Sequence, residues 1–170
     1  HLVFSTLHTN DAPSAMTRMV DLGVPGYLVA TSVVAVLAQR LVRVVCAKCK
    51  QPYTPTAGEL KSAGITPELA ATGTFMKGKG CNACNDKGYR GRIGIYELML
   101  LTPKIRELVY QNASAVDIRD VAVNEHMTTL YRDGIEKVLK GITTIEEVFR
   151  VAKISEADEE HLANAVAEAN

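Results

Sequence analysis

Apolar positions change period several times along the chain, and each change marks an expected element. Leu2 to Leu7 is a short apolar run containing Val, Phe and Thr, the pattern of a strand buried on both faces. Asn10 or Asp11 then stands where a helix cap is needed. Ala12, Ala15, Met16, Met19 and Val20 follow at helical spacing, and Gly23 ends the segment. Pro25 is expected to open a second helix in which Tyr27, Leu28, Val34 and Leu37 pack inward. That helix is apolar nearly all round until Gln39 and Arg40, so it is expected between two layers. Leu41 to Val45 reads as a strand leading into the first cysteine pair.

Residues 50 to 80 lose this periodicity. Pro52, Pro55, Gly58, Gly64, Pro67, Gly73, Gly78 and Gly80 leave room only for short helices near 57–62 and 67–71. A return strand is expected within 89–101, its β-branched and aromatic content concentrated from Ile93 to Leu101. Beyond Thr102 the signals are helical, with helices expected at 103–111, 115–124, 127–140 and 145–153. Thr102 precedes Pro103 at a helix start, and Ser114 with Asp117 and Thr144 with Glu147 have capping-box spacing. Ser155 and Asp158 would cap a fifth helix in an Ala- and Glu-rich tail that is expected to fray.

Composition narrows the class. Of 170 residues, 47% are hydrophobic and 22% charged, which describes a globular chain rather than a disordered or fibrous one. Basic and acidic residues balance at 19 each, so net charge gives no reason to expect nucleic acid or an anionic membrane. The charge is unevenly placed, however: residues 46 to 92 hold eight basic and three acidic side chains, and residues 155 to 170 hold five acidic and no basic ones. No apolar run is long enough to span a bilayer, and the first residues lack the basic region and cleavage site of a signal peptide. A chain that opens on a buried-type strand without an initiator methionine is expected to be part of something longer.

All four cysteines fall in two Cys-x-x-Cys pairs, Cys46 with Cys49 and Cys81 with Cys84. Two-residue spacing lets both thiolates of a knuckle face one ion, and two knuckles complete a tetrahedron. Thirty-one residues separate the pairs, wider than in common zinc ribbons, but loop-closure entropy grows slowly with length. Disulfides are the competing reading, disfavoured in a chain without secretory features. A structural Zn2+ is therefore expected: four thiolates leave no open position for water or substrate. Lys48, Lys50, Lys79 and Lys87 are near in sequence and would offset the cluster's negative charge.

Five motifs occur in one order: His1-Leu-Val-Phe-Ser-Thr-Leu-His8-Thr-Asn-Asp-Ala, Leu37-Ala-Gln-Arg-Leu-Val-Arg43, the two cysteine pairs, Gly91-Arg92-Ile-Gly-Ile-Tyr-Glu97, and Gly141-Ile-Thr-Thr-Ile-Glu-Glu-Val-Phe-Arg-Val151. Together they resemble the C-terminal part of the type II secretion E-protein and type IV pilus-assembly (PilB-like) ATPase family, over residues 1 to about 153. The resemblance implies an α/β fold: the C-terminal part of a RecA-like P-loop ATPase core with an inserted tetracysteine zinc module and a mostly helical C-terminal subdomain. The implied division is the end of the core at 1–45, the zinc insertion at 46–88, the return strand at 89–101, the helical subdomain at 102–154 and the acidic tail at 155–170. It also implies a hexameric motor that couples hydrolysis of ATP, with Mg2+, to secretion or pilus assembly. Such a motor would sit in the cytoplasm, peripheral to the bacterial inner membrane, against membrane-anchored platform proteins.

By the same resemblance, His8 and His1 match the family's histidine box near the γ-phosphate end of the nucleotide site, where an imidazole can hold a water or sense a phosphate oxygen. Arg92, flanked by Gly91 and Gly94, would lie by the nucleotide, stacking on adenine or reaching phosphate oxygens. Gln39 and Arg40 rank behind it, as residues that would tie down the following strand. Glu97 is expected as an ion-pair partner. The chain has no Gly-x-x-x-x-Gly-Lys-Ser/Thr loop, so alone it is expected neither to bind ATP tightly nor to hydrolyse it. The rival reading is a free-standing zinc-ribbon module for nucleic acid or another partner. Clustered lysines favour it, but only Tyr53, Phe75 and Tyr89 are available as stacking platforms between residues 46 and 92.

Overall fold

A computed structural model describes residues 1–155 and Asp158. The chain is mixed α/β and divides into two compact units, each made of two stretches of sequence.

The first unit takes residues His1–Gln39 and Tyr96–Thr129. Its helices are α1 (Ala12–Asp21), α2 (Gly26–Ser32), α5 (Pro103–Tyr110) and α6 (Ala115–Asn124). α1 packs on α2 and α6, and α5 packs on α2 and α6. The buried faces are Ala12, Ala15 and Met16 of α1, Val29 and Ala30 of α2, Ile105 and Val109 of α5, and Ile118, Ala122 and Val123 of α6. Two carboxylates complete the N-terminus of α1. Asp11 accepts the Ser14 N–H at 2.8 Å and pairs with Arg119 at 2.6 Å, while Glu97 accepts the Ala12 N–H at 2.7 Å. Helix-start N–H groups have no partner within the helix, so these bonds fix where the chain turns into α1.

The second unit takes Arg40–Ile95 and the described residues from Leu130 onward. β2 (Lys50–Pro52) and β3 (Met76–Gly78) form an antiparallel pair with Lys50 opposite Gly78, and α3 (Ala57–Ser62) and α4 (Pro67–Thr72) lie between them in sequence. A full capping box starts α3: Glu59 N–H donates to Thr56, whose own N–H donates back to Glu59. α7 (Leu130–Leu139) packs on α8 (Ile145–Val151) through a close approach at Gly134, where an added Cβ would lie 2.8 Å from the Val148 side chain. Tyr131 is buried, stacks on Phe149 and donates to the Ala63 carbonyl at 3.0 Å.

Two long strands, β1 (Ala35–Val45) and β4 (Tyr89–Leu100), pair with each other, and the sequence of each is divided between the units. Along β4, Ile95, Glu97 and Met99 are buried and Tyr96, Leu98 and Leu100 exposed, the period-2 alternation of a half-covered strand.

Helices α3 to α6 and α8 fall where the sequence places them, within two residues, and α7 begins three residues late. Two expectations at the start of the chain need correction. Residues 2 to 7 form no strand, and Leu2, Val3, Phe4 and Leu7 are exposed. A strand exists only through hydrogen bonds to a neighbour, and no neighbouring strand lies beside this run among the described residues. The second helix stops at Ser32, and Leu37, Gln39 and Arg40 lie on β1. Apolar periodicity cannot tell a buried helix from a strand, and the β-branched Val33, Val34 and Val36 favour the strand once β4 is beside it. Tyr27, Leu28, Val34 and Leu37 are exposed rather than packed inward. The Ser155–Asp158 cap forms, with the Asp158 N–H donating to Ser155 Oγ, while the rest of the expected fifth helix lies outside the described residues.

Candidate metal centre

β1 delivers Cys46 at its end, and a tight turn with the Cys49 N–H on the Cys46 carbonyl brings Cys49 to the same side. β2 then departs and β3 returns, with the Lys79 N–H on the Cys49 carbonyl at 3.2 Å. Cys81 and Cys84 sit on a 3-10 turn, after which Asn85, Asp86 and Gly88 take positive φ and reverse the chain into β4. The Cys46 N–H donates to the Gly88 carbonyl at 2.9 Å and closes the module at its root. Gly78 and Gly88 approach so closely that a Cβ on Gly78 would sit 2.1 Å from the Gly88 oxygen. Glycine is required there by the crossing of two backbones.

These turns gather four sulfurs within 4.8 Å of one another, a set able to hold a metal ion. Cys46 to Cys81 is 3.9 Å, Cys49 to Cys84 is 3.8 Å and Cys81 to Cys84 is 3.8 Å. A tetrahedron of thiolates about 2.3 Å from a central ion has edges of about 3.8 Å, so the donor set fits. A disulfide needs about 2.05 Å between sulfurs, and all four cysteines are free thiols. Burial pushes the Cys49 thiol up to about 12, and the sulfurs of Cys81, Cys84 and Cys46 add to the rise. Burial acts on Cys84 in the same direction, but N–H donors from Cys81 and Gly88 outweigh it and hold that thiol down to about 7. Four adjacent sulfurs resist ionising together, and a dication between them reverses that cost.

The root of the module is held by a polar clamp that motif reading did not find. Glu147, fully buried on α8, accepts the Arg43 backbone N–H at 3.0 Å, Arg43 Nε at 2.9 Å and Nη2 at 2.7 Å, and Arg150 Nε at 3.1 Å and Nη2 at 2.7 Å. Arg43 also lies over the Tyr89 ring, 4.3 Å from its centroid, and the Tyr89 hydroxyl is 2.8 Å from Thr144 Oγ1. Burial would raise the Glu147 carboxyl, but the two guanidiniums hold it down to about 2. The Thr144-x-x-Glu147 signal is half fulfilled. Thr144 accepts the Glu147 N–H, but the carboxylate faces the arginines instead of the cap.

The remaining candidates are distributed over both units. His1 and His8 are exposed in the irregular opening segment of the first unit, and Gln39 there donates to the Tyr96 hydroxyl at 3.4 Å. Arg40 on β1 and exposed Arg92 on β4 belong to the second unit. Glu97 caps α1, a contact its sequence signal did not reveal because Ala12 is 85 residues away.

The architecture is thus a mixed α/β chain whose second unit carries four clustered cysteines able to hold a metal ion. A family model described as Type II/IV secretion system protein matches residues 1–150. The chain belongs to that family. It is 44% identical over 153 residues to the Type II secretion system protein E of Pseudomonas aeruginosa, covering 90% of this chain and 30% of that protein. It is 43% identical over 149 residues to the Type IV pilus assembly ATPase PilB of Myxococcus xanthus, covering 87% and 26%. Against the Type II secretion system ATPase E of Vibrio cholerae the identity is 42% over 159 residues, covering 91% and 30%. The chain therefore spans about a third or less of the length of the curated relatives it matches.

Proposed function

We propose that this chain is the C-terminal segment of a hexameric motor ATPase with a RecA-like core, which couples ATP hydrolysis to assembly of a secretion pseudopilus or a type IV pilus. The observation that carries the reading is the family match across residues 1–150, a span that contains His1 and His8, the cysteine knuckles and the Gly91–Glu97 motif. The exposed Leu2, Val3, Phe4, Tyr96, Leu98 and Leu100 support it, because the remainder of such a core would cover them.

In this reading residues 1–45 and 89–101 complete the core, 46–88 form its insertion, 102–154 form the helical subdomain and 155–170 the acidic tail. His8, with His1, meets the nucleotide's phosphate end, holding a water or accepting a proton there. Arg92 meets the nucleotide, and Gln39 and Arg40 hold β1 beside it. ATP with Mg2+ supplies the phosphoryl group whose transfer to water drives the motion.

Cys46, Cys49, Cys81 and Cys84 hold a structural Zn2+. Bound there, the ion cross-links the two knuckles and leaves no position open for substrate. Exposed Lys48, Lys50, Lys79 and Lys87 lie close in sequence to the knuckles and suit an acidic surface on a membrane-anchored platform protein at the cytoplasmic face of the inner membrane. Among the described residues no helix is long and apolar enough to cross a membrane. Nucleic acid is not the expected partner.

The test uses the longer protein encoded with this segment. His8→Ala is expected to lower its ATPase rate by roughly 10²-fold with the hexamer intact, in the range of a lost proton-transfer group. The 170-residue chain alone is expected to show no ATP hydrolysis. Hydrolysis by the isolated chain, or tight and steeply salt-dependent binding to DNA or RNA, overturns the reading.

A further inference from the structure

The four sulfurs are not equivalent. Cys46, Cys49 and Cys84 are buried, whereas Cys81 is only partly so. Hydrogen bonding separates them further. Cys84 Sγ receives the N–H of Cys81 and that of Gly88, each at 3.3 Å. The polar neighbours of Cys81 Sγ are the other sulfurs, with Cys46 at 3.9 Å and Cys84 at 3.8 Å. N–H donors draw electron density from a thiolate and reduce its attack on an electrophile. Cys46 is similarly spared such donors, but its exposure is 0%. Cys81 alone combines a sulfur spared N–H donors with a residue that is only partly buried.

We propose that Cys81 is an oxidation site for peroxides, and that Cys84 resolves the product into a disulfide that opens the metal centre. The metal-release part rests on the zinc reading; the choice of Cys81 does not. In the first step the Cys81 thiolate attacks one peroxide oxygen, a sulfur–oxygen bond forms, the O–O bond breaks and the departing hydroxide takes a proton to become water. Cys81 is then a sulfenic acid. In the second step the Cys84 thiolate attacks that sulfur, a sulfur–sulfur bond forms and hydroxide leaves, again protonated to water. Two thiolates, one hydrogen peroxide and two protons give one disulfide and two waters, with sulfur oxidised by two electrons and the peroxide reduced.

Cys84 is the resolving thiol because it lies three residues away on the same 3-10 turn. Cys46 is almost as near but is fixed at the end of β1, its N–H bonded to the Gly88 carbonyl. With two of four ligands removed the ion is released, and only Cys46 and Cys49 remain to hold it. The oxidised form is reversible by thiol exchange, so the centre would register peroxide and recover.

The experiment takes the reduced 170-residue chain, measures zinc per chain, then adds hydrogen peroxide in steps while a colorimetric chelator follows zinc and peptide mass spectrometry locates the modified sulfurs. The expected result is a Cys81–Cys84 disulfide as the first product, with one zinc released per disulfide and reversal by a dithiol plus zinc. With a limiting alkylating agent, Cys81 is expected to react roughly tenfold faster than the other three, as thiol exposure dictates. In Cys84→Ser, a sulfenic acid trapped by dimedone is expected at Cys81; the wild-type peptide map decides the matter if that variant fails to fold. A different cysteine modified first, or zinc retained after the disulfide forms, overturns the proposal. Less than half an equivalent of zinc before peroxide overturns the zinc reading instead, and the peptide map still decides whether Cys81 reacts first.

Discussion

Removing a carboxylate from water costs several kcal/mol unless its lone pairs are filled by charged donors. Glu147 meets that condition, with five hydrogen bonds from Arg43 and Arg150 on its two oxygens. Its folded-state pKa is depressed from 4.5 to about 2. A depressed acid contributes stability above its unfolded pKa and loses it as pH falls through the folded one. Wild-type stability is thus expected to decline between about pH 4.5 and 2, measured as the urea midpoint against pH, and Glu147→Gln is expected to flatten that dependence. At neutral pH the same variant is expected to lose roughly 2–3 kcal/mol, below the cost of breaking a fully buried pair because both guanidiniums keep access to water. The cysteines were legible in the sequence because each knuckle is local. Glu147 was not, since its nearest motif points to a helix cap while Arg43 lies 104 residues away.

At the scale of elements, backbone contact rather than side-chain chemistry decides what can change. Gly78→Ala would drive a methyl group into the Gly88 carbonyl, with an expected loss of about 3 kcal/mol by chemical denaturation. Gly58→Ala is the contrasting case, since its Cβ would have only Thr56 Oγ1 at 3.9 Å in a helix start. There a gain of about 0.5–1 kcal/mol is expected from the same measurement. Hydrogen exchange is expected to distinguish the module from its surroundings. Stripping the metal with a strong chelator is expected to deprotect residues 46–88 and leave α1, α5 and α6 protected, because metal-binding free energy is local folding free energy. Element types were legible where caps and breakers punctuate the chain, as at Thr102-Pro103 and Ser114. Between Gly26 and Val45 punctuation is missing, and pairing with β4 decides what composition leaves open.

At the scale of the whole molecule, the first unit exposes apolar side chains in quantity: Phe4 is 90% exposed, Val3 78% and Leu2 73%. Such surface in water favours association, so the isolated chain is expected to self-associate with rising concentration in sedimentation velocity. Phe4→Ser with Val3→Ser is expected to shift it toward monomer. The mixed α/β character was readable because periodic segments carry their own signal. What lies against an exposed face was not, because sequence pattern reports that a residue wants burial but not which surface provides it.

The hydrogen bond between the Cys46 N–H and the Gly88 carbonyl has a consequence for how such a chain can be altered. Departure and re-entry points touch, so everything between them is a cassette on one doorway. Because the two ends meet, a change of length between them costs little, since closure entropy grows only slowly with length. The cassette's inner side is not free, however: the Tyr131 hydroxyl donates to the Ala63 carbonyl and the Thr74 N–H to the Leu139 carbonyl, so a replacement for residues 47–87 has to cover α7 as well. The doorway is therefore a place to graft a foreign domain only if that domain brings its own cover for the helix.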